Sequence, residues 1–312
     1  MDSSDIAPLQ GASVKRSGLW MDQPDALAQL LTRAGNDVVL QKVGRDLIED
    51  GFTVIEGLQD PALIAQTNAD YDRWLEDNRE EAEKNRDPNG RQFRLTNFHL
   101  ASPSAMKLAK NAEVMRILDF IFGREAAVHT SLTFQYSTMQ ALHRDAPYFH
   151  TFPENQFVGV WTALQDIDPD SGPLSYIRGS HRFTIDQHAY YREALEQLGD
   201  PELARGAALA RYQNEITEIG EAMAPRTYGL LKRGDVAIWH PQLVHGGSPA
   251  VKPELKRRSM VVHCCPADTH VYIDDAFLAH QEETPPQPYY QYATSDGRSH
   301  GDFRVPGFMA SI

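Results

Sequence analysis

Apolar and polar positions recur with two different periods along this chain, and the change comes near residue 125. Before it the spacing is helical. Asp25-Ala-Leu-Ala-Gln-Leu-Leu31 is an amphipathic fragment and Val43 to Asp50 another, with Gly51 as its C-cap. Phe52 to Ile55 reads as a short buried strand. Asp60-Pro61-Ala62 starts a helix, with Asp as N-cap and Pro at the first helical position. That helix runs from Leu63 to Asn85 and turns strongly polar through Glu76 to Lys84, a solvated face. Asp87 to Gly90 is a turn, and Lys107 to Phe122 is a further helix stopping at Gly123.

After residue 125 the pattern is that of strands. Val128 to Tyr136 is rich in Thr, Phe and Tyr. Phe157 to Leu164, Leu174 to Ile177, Gly234 to Trp239, Leu243 to His245 and Ser259 to Cys264 are short apolar runs bounded by turn residues. Asp168-Pro-Asp-Ser-Gly-Pro173 is a turn between two of them. A helical insertion interrupts the series, with helical patterns between Ile185 and Ile219. The tail from Pro285 is rich in Tyr, Pro and Gln without periodicity and reads as a loop-like wrap. No internal repeat or composition break calls for a second domain. The expectation is a mainly β fold with helices: a sandwich or barrel with helices packed outside, as one domain over residues 1–312. Residues 1–125 form its helical part, 126–266 the sheet core with an insertion at 185–226, and 267–312 the tail.

Composition narrows the classes. With 43 Asp+Glu against 30 Lys+Arg the formal net charge is −13. The densest basic cluster, Lys252 to Arg258, does not offset that excess, so no nucleic-acid partner is expected. No apolar run approaches the ~20 residues of a membrane span. Met1-Asp-Ser-Ser-Asp5 lacks a secretory leader pattern. The two cysteines, Cys264 and Cys265, are adjacent and cannot staple distant elements, which fits a reducing cytoplasm. Twelve histidines are the one entry that points to chemistry.

Three His-x-Asp/Glu motifs occur, at His143, His280 and His300, no more than chance can supply. His280-Gln-Glu282 lies in an acidic, proline-flanked stretch and reads as a surface loop. His143-Arg-Asp145 instead follows a strand and precedes the turn Ala146-Pro147-Tyr148, where side chains converge. His245 ends the second strand of Gly234-Asp-Val-Ala-Ile-Trp-His-Pro-Gln-Leu-Val-His-Gly-Gly247. Two histidines and one carboxylate on separate strands make a facial triad, which suits Fe(II) and leaves three positions open. Twelve residues on, Arg257-Arg-Ser259 opens a strand. Arg257 and Ser259 then share a face and can clamp a carboxylate, as a 2-oxoacid co-substrate requires. Read alone, Arg257-Arg258 is better explained as a basic turn after Lys252 and Lys256.

Taken together, His143-Arg-Asp-Ala-Pro-Tyr-Phe, Val160-Trp-Thr-Ala-Leu, Ser171-Gly-Pro-Leu-Ser-Tyr-Ile-Arg-Gly-Ser-His181, Gly234 to Gly247 and Arg257-Arg-Ser resemble the phytanoyl-CoA dioxygenase family. The similarity covers roughly residues 44 to 266. It implies a double-stranded β-helix (jelly-roll) core and an Fe(II)/2-oxoglutarate-dependent dioxygenase that consumes O2. It implies iron on His143, Asp145 and His245, and the distal carboxylate of 2-oxoglutarate on Arg257, supported by Ser259. Trp161 would line the co-substrate pocket, and Ser131, Thr133 and Gln135 would turn a polar strand face towards it. One departure is Gly247-Ser248, where family members often carry a serine two residues after the distal histidine.

The resemblance implies oxidation of an unactivated C–H, with succinate and CO2 as co-products. Asp145 fills the position that family halogenases leave small for chloride, so hydroxylation, or a related desaturation, cyclisation or demethylation, is favoured. Two rivals remain at this point. Zinc on the same ligands would make a hydrolase or isomerase but gives Arg257 and Ser259 no task, and an inactive binder would ordinarily have lost a ligand. His181 and His240 read as structural, His150 and His263 as near the site, and Arg91, Arg94 and His99 as part of its mouth. The net acidity leans towards a small-molecule substrate rather than a coenzyme A thioester.

Overall fold

The structure is a computed structural model that describes residues 18–87, 89–92, 94–273, 292–301 and 307–308. The N-terminal pentapeptide, the His280 motif and Pro285 lie outside the described residues.

Side-chain caps open four of the six α-helices described in the first third, at Asp37, Asp60, Ser102 and Asn111. Helix α1 (Ala26–Ala34) follows Asp25. Helix α2 (Val38–Glu49) starts before the expected Val43, because Asp37 accepts the amides of Val39 and Leu40 at 3.0 Å. Gly51, at φ +80°, turns the chain into β1 (Phe52–Ile55), which is half-buried rather than buried. The helix expected over 63–85 is two, α3 (Pro61–Asp77) and α4 (Arg79–Lys84). They break at Asn78, whose backbone N–H and side-chain amide both donate to the Trp74 carbonyl, at 3.0 and 2.8 Å. After β2 (Leu95–Thr96) come α5 (Pro103–Ala109) and α6 (Ala112–Phe122), where the apolar pattern suggested one helix from Lys107. Asn111 caps α6 by accepting from Glu113 and Val114 at 2.9 and 3.1 Å.

The strands follow: β3 (Ala126–Phe134), β4 (Phe149–Phe152), β5 (Val158–Ala163) and β6 (Leu174–Tyr176). The insertion supplies α7 (Gln187–Leu198) and α8 (Pro201–Met223). Then come β7 (Thr227–Gly229), β8 (Val236–Trp239), β9 (His245–Gly247), β10 (Ser259–Pro266) and β11 (His270–Ile273). The described tail holds β12 (Tyr292–Ser295), β13 (Arg298–Gly301) and β14 (Gly307–Phe308). So the tail is not a plain wrap: Asp296 and Gly297, both at positive φ, form the tight turn of a β12–β13 hairpin.

Among the described residues the main sheet runs β1-β8-β5-β10-β3-β13-β12, with β2 between β3 and β14. Strand side chains alternate faces. Val158, Val160, Val236, Ile238, Met260 and Val262 turn towards the helices and share one core with α2 and α6. Phe134, Trp161, Ala237, Trp239 and Val261 turn the other way and meet Leu174 and Tyr176 of the second sheet, β7-β6-β9. Burial on both faces explains why these strands are nearly unbroken apolar runs. No helix among the described residues is long and apolar enough to cross a membrane.

Candidate metal centre

The gap between the two sheets is where His143, Asp145 and His245 meet. His143 and His245 exchange backbone hydrogen bonds, N–H to O at 2.8 and 3.0 Å, which sets the two rings side by side with centroids 4.5 Å apart. Each ring Nδ1 donates to a carbonyl two residues earlier, Ala141 at 2.8 Å and Leu243 at 3.0 Å. In the neutral rings this leaves Nε2 as the acceptor. Both Nε2 atoms face Asp145 Oδ1, at 3.7 Å from His143 and 3.6 Å from His245. The other carboxylate oxygen accepts the Trp239 indole N–H at 2.8 Å, while the Pro241 carbonyl takes the amides of Asp145 and Ala146, each at 3.1 Å. One ligand atom from each of the three residues lies within 4.8 Å of the others, and all three are buried. Among the described residues no other cluster of His, Cys, Asp or Glu meets that geometry.

The electrostatics suit a cation. Burial pulls His143 down to about 4, helped by the neighbouring His245, so the ring is neutral at neutral pH. Burial pushes the Asp145 carboxyl up, but His245, His263, His143 and the Trp239 N–H outweigh it, and the group ends below its ordinary value. The neutral His143 ring, the His245 imidazole and a carboxylate, each held by a further hydrogen bond, form a pre-oriented N,N,O donor set.

Beside the triad lies a buried guanidinium. The Arg257 N–H donates to the Gln135 carbonyl at 2.8 Å, and its guanidinium carbon sits 5.6 Å from the Phe134 ring centroid and 5.8 Å from that of Trp161. Its nearest polar contact is the Gly172 carbonyl, at a long 3.5 Å. Arg257 Nε and Ser259 Oγ are both buried without a hydrogen-bond partner, and burial lowers the Arg257 pKa to about 10. Polar atoms left so are expensive, and a bound carboxylate would satisfy both. Arg258 points the opposite way, to Asp72 at 2.6 Å.

The strand facing them needs a correction. In register, Ser131 lies opposite Val262 and Thr133 opposite Met260, on the helix-backed face, whereas Leu132 and Phe134 pair with Val261 and Ser259 on the inner face. Ser131 and Thr133 therefore turn away from the pocket; Ser131 instead meets His99 Nδ1 at 2.6 Å. Gln135 contributes its backbone carbonyl to Arg257.

His99 is buried against Ser131 rather than at a mouth, and Arg91 pairs with Asp87. Arg94 is close enough to perturb His143 and His263. His181 lies near the Ile48 carbonyl, and His240 is 3.0 Å from Asp22. His263 stacks on Phe157 and tilts against Phe149, close enough to Asp145 and His245 to feel both. The His150 side chain is outside what the structure describes. Burial raises both cysteine thiols. Ser248 is spent on the Pro173 carbonyl at 2.7 Å. Two contributors went unread in sequence, the Trp239 indole and the Pro241 carbonyl; both lie inside the Gly234 to Gly247 segment, which was the available signal.

A family model described as "Phytanoyl-CoA dioxygenase (PhyH)" matches residues 47–258. The peroxisomal phytanoyl-CoA dioxygenase of Bos taurus is 27% identical over 169 residues, 52% of this chain and 46% of that protein. The chain thus spans about half the length, or less, of the curated relatives it matches first. Among solved structures, the epimerase SnoN from nogalamycin biosynthesis, in complex with Fe3+, alpha ketoglutarate and nogalamycin RO, has a TM-score of 0.54 at 19% identity, covering 93% of this chain and 97% of SnoN. EctD from S. alaskensis with 2-oxoglutarate and 5-hydroxyectoine has a TM-score of 0.54 at 18% identity, covering 89% and 92%. At these identities the structural likeness speaks for the fold: a mixed, sheet-rich architecture with helices, like that of these iron and 2-oxoglutarate proteins.

Proposed function

The chain belongs to the phytanoyl-CoA dioxygenase family, and from that premise we propose that it is a non-haem Fe(II)- and 2-oxoglutarate-dependent oxygenase. It hydroxylates an unactivated C–H of a small-molecule substrate. The observation that carries this reading is the pairing of two features: a convergent His-Asp-His donor set and a buried guanidinium whose Nε, like the buried Ser259 hydroxyl, has no hydrogen-bond partner. A hydrolytic zinc site would use the first and leave the second idle.

His143 and His245 would hold the iron through Nε2 and Asp145 through Oδ1, while Trp239 and the Pro241 carbonyl fix the carboxylate. Arg257, charged at neutral pH even with its lowered pKa, would anchor the distal carboxylate of 2-oxoglutarate, with Ser259 as a second donor. Trp161 and Phe134 cover the guanidinium and exclude water, which strengthens that contact. When bound, iron together with 2-oxoglutarate and O2 supplies the C–H oxidant, with succinate and CO2 as co-products. Asp145 occupies the site that chloride would need, which favours hydroxylation over halogenation. The two facing sheets would be the halves of one double-stranded β-helix domain, with α7 and α8 as its insertion.

Incubation with a panel of small metabolites and natural-product intermediates, read as succinate release coupled to a product heavier by one oxygen, tests the proposal. Succinate formation without any oxidised product across the panel leaves the substrate class open to revision. Absence of succinate with iron fully loaded refutes the oxygenase.

A further inference from the structure

The residues immediately before the two histidine ligands have a task of their own. Leu142 and Val244 point away from the triad, where both enter one apolar cluster with Tyr212 and Ile216 of α8. Helix α8 is therefore packed on the back of the paired backbone that carries both imidazoles. Gly220, one turn further along α8, marks how close the approach is: a Cβ there would lie 2.9 Å from Val244 Cγ1 and 3.6 Å from Leu142 Cδ1.

Polar contacts from the insertion fall at intervals along the same short segment. Thr217 Oγ1 reaches the Leu142 carbonyl at 3.0 Å, one residue before His143. Gln213 donates to the Tyr148 hydroxyl, three residues after Asp145. Between the ligands, Arg144 is 1% exposed and donates through Nη2 to the carbonyls of Ser180 and Phe183, both at 2.8 Å, where the chain leaves the sheet for α7. Its Nη1 reaches Gln242 Oε1 at 3.2 Å, in the loop that leads to His245. A fork of fixed geometry can span these carbonyls and an amide at once; an ammonium cannot.

We infer that the α7–α8 insertion is a positioning element for the metal ligands, acting through Arg144 and the α8 face at Gly220, and not only a cover over the site. The inference rests on the triad being a metal site. It gives Arg144 a positioning role: the side chain acts on the reaction through His143 and Asp145, whose backbone it ties to the 180–183 turn that leads into the insertion and, beside the Tyr212 hydroxyl, to α8 itself.

The test uses the full chain with Arg144→Lys, which keeps the charge and loses the fork, and Gly220→Ala, which presses α8 against Val244. Alanine is also the better helix former by ~1 kcal/mol, so this second variant is not expected to weaken α8 itself. Two quantities are read: the Fe(II) dissociation constant by anaerobic titration, and hydrogen exchange of the apo protein at residues 141–148 and 243–247. Both variants should bind Fe(II) roughly 10- to 100-fold more weakly. Exchange should quicken at the His143 and His245 amides while β5 stays protected. In turnover, kcat should fall with the KM for 2-oxoglutarate unchanged, since Arg257 is untouched. Fe(II) affinity within threefold of wild type with unchanged exchange in both variants overturns the inference, as does loss of protection spread evenly through the sheet. Should Arg144→Lys fail to fold, Gly220→Ala decides. Failure of the wild-type chain to bind Fe(II) would instead strike the proposed function, and the exchange measurement would still judge the insertion.

Discussion

Replacing Arg257 by methionine separates two consequences of one buried charge. The guanidinium is 4% exposed, and burial lowers its pKa well below the ordinary arginine value, to about 10. At ~1.4 kcal/mol per unit, holding that charge out of water costs roughly 3 kcal/mol in the protein without 2-oxoglutarate. Methionine fills much of the same space and carries no charge, so the apo variant should be more stable than wild type by ~1–3 kcal/mol, a rise of a few degrees in the melting midpoint. The opposite should happen to the co-substrate. Removing one partner of a buried charge pair costs ~3–5 kcal/mol, so the apparent affinity for 2-oxoglutarate should fall at least about 100-fold. The assays are thermal melting with and without 2-oxoglutarate, and succinate release across 2-oxoglutarate concentration. Wild type should melt higher as 2-oxoglutarate is added, and the variant should not. A KM for 2-oxoglutarate within threefold of wild type refutes the anchor. A lower apo melting point refutes the reasoning about buried charge.

Further outcomes follow from the same geometry. Arg258→Ala removes the pairing with the half-exposed Asp72 and two long contacts to Asn68, at 3.3 and 3.4 Å, so the KM for 2-oxoglutarate should stay within about twofold and stability within ~1 kcal/mol; steady-state kinetics and urea unfolding check both. Asp145→Ala should abolish most turnover and weaken Fe(II) binding, and near-normal turnover would remove Asp145 from the triad. The apo protein should lose stability on acidification. His143 and His263 titrate at about 4 in the fold, and His99, His129 and His181 at about 3, against ~6.5 when unfolded. The unfolded chain therefore binds more protons between these values, so stability is complete above ~6.5 and falls as pH drops towards 4, by up to ~1.4 kcal/mol per pH unit for each histidine. Urea midpoints that do not change between pH 7 and pH 5 would contradict this.

Local chemistry was the legible part of this chain. Asp60-Pro61 predicts a cap that forms as read, with the Asp60 carboxylate accepting the Ala62 amide at 2.8 Å, and the change of period at residue 125 falls one residue before β3. What escaped reading depends on pairing across the fold. Whether Ser131 and Thr133 or Leu132 and Phe134 face the pocket is decided by register against β10, and that register slips between His263 and Cys264. Sequence alternation alone cannot say which set is inward. The breaks at Asn78 and Asn111 were hidden because apolar spacing runs through them, while an asparagine side chain hydrogen-bonds the backbone there. Strands β4, β7 and β11 are three or four residues long, too short for a period to register. The tail hairpin had its signal in Asp296-Gly297, obscured by the proline-rich stretch before it. For the site, His143, Asp145 and His245 could be nominated from motif and context. Their supports, the Trp239 indole and the α8 face behind Leu142 and Val244, come from elements distant in sequence.

The most direct measurement is anaerobic addition of Fe(II) and then 2-oxoglutarate to the purified chain, followed by visible absorption. A site in which His143, Asp145 and His245 hold the metal and Arg257 anchors the co-substrate predicts a charge-transfer band that saturates at one equivalent of each, and that is lost in Asp145→Ala. No band at stoichiometric loading, or an equal band in Asp145→Ala, would contradict it.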